Sequence, residues 1–164
     1  MAKKLYPIQK EIRKRLVYDY TSGEFTWING PREGMKAGTN TRDGVQIRMN
    51  KQGYKAHILA WIYAYGEFPA MDIDHKDRNW QNNRLDNLRL ATKSQNQVNT
   101  RRNNKFGYKG IQKSGNKWAA KIRIGKTKVH LGVFDTKEQA HEAFMSKSRE
   151  LHGEFASDGK RTNE

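Results

Sequence analysis

The chain has 164 residues, of which 35% are apolar, 10% aromatic and 30% charged. That balance is too apolar and aromatic for an unfolded polyelectrolyte, and the length suits one ordinary domain or a few small modules. Thirty-two Lys and Arg against seventeen Asp and Glu give a formal charge of +15, which favours a polyanionic partner, nucleic acid ahead of a membrane surface. The absence of cysteine excludes disulfides, a thiolate nucleophile and Cys-based zinc sites.

In chain order, Pro7 and IQKEIRKRLVYDY put Ile8, Ile12, Leu16 and Val17 near helical spacing, predicting a helix over 7–20 that Thr21-Ser22-Gly23 ends. GEFTWIN, VQIRMN and GYKAHILA read as strands, with a hairpin turn over 50–53. The apolar run AHILAWIYAY predicts a short buried helix over 56–65, closed by Gly66 and Pro69. It holds His57, which reads as a core or DNA-facing residue. No run approaches the ~20 apolar residues of a spanning helix. The opening MAKKLYPIQKEIRKRL lacks a secretory leader's apolar centre, so a cytoplasmic protein is expected.

Met71-Asp72-Ile73-Asp74-His75 alternates as a strand does and breaks into the polar loop KDRNWQNNRLDN. Leu88-Arg89-Leu90-Ala91 is a second short strand, and Thr92 with Gln95 forms a capping-box signature for a helix carrying Asn96. Residues 101–107 are a basic, Asn-rich linker. The next stretch holds three strand-like pieces divided at 114–116 and 125–126. Thr136 and Gln139 then cap a helix over 137–151 with Ala140, Ala143, Phe144 and Leu151 on its apolar side. A three-stranded antiparallel sheet packed on one helix is expected over 108–155, and a polar, frayed tail after it. Residues 101–130 hold ten Lys or Arg and no Asp or Glu.

Chemistry concentrates around Asp74 and His75. Phosphodiester hydrolysis needs a water to lose a proton, charge on the phosphate to be neutralised and the departing 3′ oxygen to be stabilised. An imidazole titrating near neutrality beside a bound divalent ion covers these needs. Asp74 and the amide oxygen of Asn96 are suitable hard ligands. Consecutive strand residues face opposite ways, so Asp74 and His75 can converge only where the strand ends. Asn87 is placed to tie the loop's ends together through its side chain. Arg89 could face phosphate or pair with an acidic neighbour. His141 and His152 read as structural.

At these positions the chain resembles the HNH endonucleases, specifically the phage and intron-encoded homing type, in DHKDRNWQNNRLDNLRLATKSQN. AHILAWIYAYGEFP and YDYTSGEFTWI extend the likeness over residues 5 to 100. The resemblance implies an α+β fold with a ββα-metal core near 70–100, His75 as general base, Asn87 as the loop-fixing residue, and Asp74 and Asn96 as metal ligands. Asn96 stands where many members have His, which favours Mg²⁺ or Mn²⁺ over zinc or nickel.

Residues 108–155 resemble the ethylene-response-factor (APETALA-type) DNA-binding domain in YKGI, KWAAKIR, HLGVFDT and KEQAHEAF. That likeness implies contacts to bases and phosphates in the major groove from Lys109, Lys113, Lys117, Trp118, Lys121, Arg123, Lys128 and His130; Arg101, Arg102 and Lys105 of the basic linker are read separately as following the DNA. Trp118 reads equally well as a core residue. Lys121 replaces the usual acid there, which raises phosphate affinity, and His130 replaces a Trp. Together these readings imply a site-specific endonuclease acting as a monomer on double-stranded DNA in a phage-infected or bacterial cell. It would use one divalent ion and leave 5′-phosphate and 3′-hydroxyl ends. A non-catalytic DNA-binding regulator and an RNA-acting nuclease are the alternatives.

Overall fold

The structure, a computed structural model, describes residues 5–99 and 106–158. The chain forms two compact units, residues 1–92 and 93–164. Arg101, Arg102 and Lys105 of the linker lie outside the described residues.

In the first unit, helix α1 (Gln9–Arg13) is followed by β1 (Leu16–Asp19), β2 (Glu24–Trp27) and β3 (Lys36–Ala37), which form one antiparallel sheet in that order. The helix expected over 7–20 therefore ends at Arg13. Ile12 and Leu16 do share helical spacing, but from Leu16 onward burial alternates, with Leu16 and Tyr18 inside and Val17 and Asp19 outside. That is the period of a strand, and β-branched and aromatic side chains suit it. The pairing Leu16↔Trp27 and Tyr18↔Phe25 puts the large side chains on one face. The β1–β2 turn is fixed by Asp19, whose carboxylate accepts from Thr21 N at 2.8 Å and Ser22 Oγ at 2.7 Å.

Strands β4 (Thr39–Thr41), β5 (Gly44–Met49) and β6 (Gln52–Lys55) make a second antiparallel sheet. Its hairpin turns on Asn50 and Lys51, both at positive φ. Helix α2 (Ala56–Tyr65) follows β6 directly and buries Ala56, His57, Leu59, Ala60 and Ile62. One core gathers Ile12, Leu16, Tyr18, Phe25, Trp27, Ile47, Tyr54, Leu59, Ile62 and Leu88. Strands β7 (Asp72–His75) and β8 (Leu88–Ala91) then pair antiparallel, with Asp74 opposite Arg89 and His75 opposite Leu88.

The second unit begins with helix α3 (Lys93–Val98) and contains the sheet β9 (Ile111–Ser114), β10 (Lys117–Ile124) and β11 (Thr127–Phe134), followed by α4 (Lys137–His152). The sheet is antiparallel in the order β11-β10-β9. Thr136 and Gln139 form the expected capping box. The buried side of α4 is Ala140, His141, Phe144, Met145 and Ser148, whereas Leu151 is exposed. Ile111, Ala120, Ile122, Ala140, Phe144 and Met145 form its core. Gly110 sits at φ +77 under the Phe144 ring, where a Cβ would lie 2.0 Å from Cδ2. The tail after Phe155 is not uniformly exposed, because Ser157 is buried. Among the described residues no helix is long and apolar enough to cross a membrane.

Candidate active site

Strand β7 ends at His75, and the chain returns to β8 only at Leu88. The intervening loop carries few apolar side chains, so its own polar groups must hold its shape. Asp77 organises it: Oδ1 accepts from Asn79 N at 2.8 Å and from Asn87 Nδ2 at 2.9 Å, and Oδ2 accepts from Asn82 Nδ2 at 2.7 Å. Buried Asn87 also donates to Asn82 O at 2.8 Å and accepts from Asp77 N at 3.0 Å. Its carbonyl takes Lys76 N at 2.9 Å, so Asn87 ties the start of the loop to its end.

His75 is buried at the head of this loop. Its Nε2 lies 3.3 Å from Asn83 Oδ1. Asn83 Nδ2 donates to Gln81 O at 3.0 Å, which fixes the amide so that Oδ1, an acceptor only, faces the ring. The proton of a neutral His75 is therefore assigned to Nε2, leaving a lone pair on Nδ1. Burial pushes the His75 imidazole below its ordinary value, outweighing the opposite pull of Asn83, Asp77 and Asp74. Neutral imidazole is the form a general base needs.

Asn83 is itself 2% exposed, and its carbonyl accepts from the Tyr18 hydroxyl at 2.8 Å. Burial raises the Tyr18 phenol to about 12, so the hydroxyl keeps its proton at neutral pH and stays a donor. Gly23, at φ +75 in the β1–β2 turn, lies so close that a Cβ would fall 2.4 Å from Arg84 N and 2.7 Å from Asn83 C. The first hairpin thus buttresses the residue that aims His75. Sequence reading placed Asn83 in the motif without a role, and nothing local to it signals Tyr18 or Gly23.

Asp74 is buried one residue away, and Arg89 reaches its Oδ2 through Nε and Nη2, both at 2.9 Å. With side-chain exposures of 10% and 6%, this bidentate pair is shielded from water and answers the open reading of Arg89: its guanidinium pairs with an acid. Asn96, the other proposed ligand, lies half-buried on α3 in the second unit. Among the described residues no cluster of three or more His, Cys, Asp or Glu forms a ready metal cage.

In the second unit the register sorts the basic residues by face. Lys121 lies opposite His130 and Arg123 opposite Lys128, and with Lys117 they alternate with Ala120 and Ile122, which face α4. Lys117 also pairs with Asp135 at 2.9 Å. Trp118 is on the α4 side, edge-to-face with Phe106 at 4.9 Å, so its ring serves the core. Lys113, paired with Trp118 across the ladder, shares that side. Lys109 donates to Val98 O, and its own carbonyl accepts from His141 Nδ1 at 3.0 Å.

A buried histidine follows a buried carboxylate on β7, at the mouth of an Asn-locked loop between two antiparallel strands. Residues 54–98 match the HNH endonuclease family. The chain is 37% identical over 114 residues to Protein 3.8 of Escherichia phage T7, covering 65% of this chain and 93% of that one. It is 34% identical over 124 residues to the uncharacterized HNH endonuclease L560 of Acanthamoeba polyphaga mimivirus, covering 68% of this chain and 65% of that one. No solved structure matches the chain. The chain thus carries an HNH endonuclease domain over residues 54–98 and is a nuclease. The non-catalytic regulator is thereby set aside. HNH nucleases generally use a divalent metal ion.

Proposed function

We propose that this nuclease is a site-specific, homing-type endonuclease that hydrolyses double-stranded DNA in a phage-infected or bacterial cell, acting as a monomer. The observation that carries the reading is the His75–Asn83 pair, which holds a buried imidazole at the end of β7, next in the chain to the buried Asp74; with Nε2 carrying the proton, Nδ1 is the nitrogen assigned as base. Nδ1 takes a proton from water as the water oxygen forms its bond to phosphorus and the P–O3′ bond breaks. The 3′ oxygen then acquires a proton from solvent, leaving 5′-phosphate and 3′-hydroxyl ends.

Asp74 fits a hard divalent cation: it is a shielded carboxylate, and its oxygens have lone pairs for both a guanidinium and a metal. Together with Asn96 in a ββα-metal arrangement it would hold one Mg²⁺ or Mn²⁺. When bound, such an ion neutralises the phosphate and stabilises the departing oxygen. Arg89 meanwhile keeps Asp74 oriented.

Placement on DNA is assigned to the second unit and the basic linker. Like charges opposite one another weaken a sheet, yet Arg123 faces Lys128 across β10 and β11, with Lys121 on the same side. Bound phosphates would offset that repulsion, as an ethylene-response-factor-like sheet requires.

The test is conversion of a supercoiled plasmid library by wild type and His75→Ala, with Mg²⁺ and with EDTA. Nicking or linearisation by wild type alone, abolished by EDTA and absent on folded RNA, is the expected result. Cutting by His75→Ala at the wild-type rate would refute the assignment.

A further inference from the structure

We infer that His57, on α2, is a positioning residue for cleavage, its ring bracing the His75 imidazole in the plane from which Nδ1 meets the attacking water. The inference rests on His75 being the base.

His57 is 9% exposed, and its ring stands against that of His75 at 5.0 Å between centroids and 89° between planes. Edge-to-face packing of this kind is a preferred arrangement of flat rings. It matters here because a histidine's ring torsion is soft, so a ring packed edge-to-face against it adds to the Asn83 contact at 3.3 Å in holding its plane. Asn83 selects which ring edge faces the loop, and His57 limits the tilt.

The choice of residue is informative. His57 Nδ1 is the buried side-chain nitrogen or oxygen without a hydrogen-bond partner among the described residues. Such an orphan is costly, and a Phe of similar shape would avoid the cost. Burial, followed by the nearness of His75 and Lys55, pushes the His57 imidazole down to about 3, so it stands beside His75 without charge. Its place is set by α2, which buries Leu59 and Ile62 in the core and starts directly from β6.

The test is steady-state cleavage of a duplex by wild type, His57→Ala, His57→Phe and His75→Ala, with melting curves for each. A base displaced by a fraction of an ångström to 1 Å loses about ten- to hundredfold in rate. His57→Ala is therefore expected to lower kcat by about that factor, with KM nearly unchanged. His57→Phe restores the wall, so its kcat returns close to wild type while its melting temperature rises. Wild-type kcat in His57→Ala, beside an inactive His75→Ala, overturns the brace alone. A His57→Phe variant as slow as His57→Ala also overturns it. Full activity in His75→Ala overturns the base assignment and this inference with it.

Discussion

Acidification should destabilise the first unit through His57, beginning well above the ordinary carboxylate range. In the unfolded chain this imidazole takes up a proton near 6.5, and in the folded chain only near about 3. Between those values the unfolded state binds more protons, so stability is complete above 6.5 and falls as the pH is lowered through the window. The fall approaches about 1.4 kcal/mol per pH unit. At pH 5.5 the loss is about 1.4 kcal/mol and at pH 4.5 about 2.7 kcal/mol. Burial of His75 acts in the same direction, so the measurement must isolate His57. Urea unfolding of wild type and His57→Phe at pH 7.5, 5.5 and 4.5 does so, because the Phe ring cannot titrate. Wild type should lose about 1.4 kcal/mol more than the variant between pH 7.5 and 5.5. Parallel pH dependences for the two proteins would refute the claim that a buried neutral His57 is built into the fold.

Three further outcomes follow from the geometry. Gly23→Ala should destabilise the protein by about 2–3 kcal/mol in denaturant unfolding, since both φ and the backbone of Asn83 and Arg84 oppose a Cβ. The same variant should lose cleavage activity by displacing Asn83. Arg89→Ala leaves the Asp74 carboxylate buried without its guanidinium and should cost about 3–5 kcal/mol, read by the same unfolding assay. Replacing Lys121 and Arg123 together by Gln should weaken duplex binding and reduce the slope of log affinity against log salt by about 1.8, measured by fluorescence anisotropy. An unchanged slope would remove β10 from the DNA interface.

Elements with strong local signals were legible from residues alone. The run AHILAWIYAY is apolar save for His57, between a lysine and a glycine, and α2 occupies those ten residues. Thr136 and Gln139 announced the start of α4. The first helix was misjudged because Ile12 and Leu16 fit two periods at once, and only pairing with Phe25 and Trp27 decides between them. On α4, His141 and Ser148 lie on the buried side although their polarity suggests the outside. Of the candidate site, the loop-tying place of Asn87 was readable because the loop supplies its own bonds. The contribution of Asn83 was not, since it depends on Tyr18 and Gly23 from a hairpin some sixty residues earlier. His57 was hidden for a similar reason: its ring meets His75 across two different elements.

The Tyr18 hydroxyl on the Asn83 carbonyl bears on how portable the catalytic motif is. The segment that matches the family, residues 54–98, includes the proposed base and the knot of asparagines but omits the β1–β2 hairpin that packs on Asn83. Transplanted alone onto another scaffold, that segment would retain every signature residue and lack the strut beneath its histidine. A working graft must carry a tyrosine donor and a side-chain-free turn from elsewhere, so the smallest transferable nuclease extends well upstream of the residues by which it is recognised.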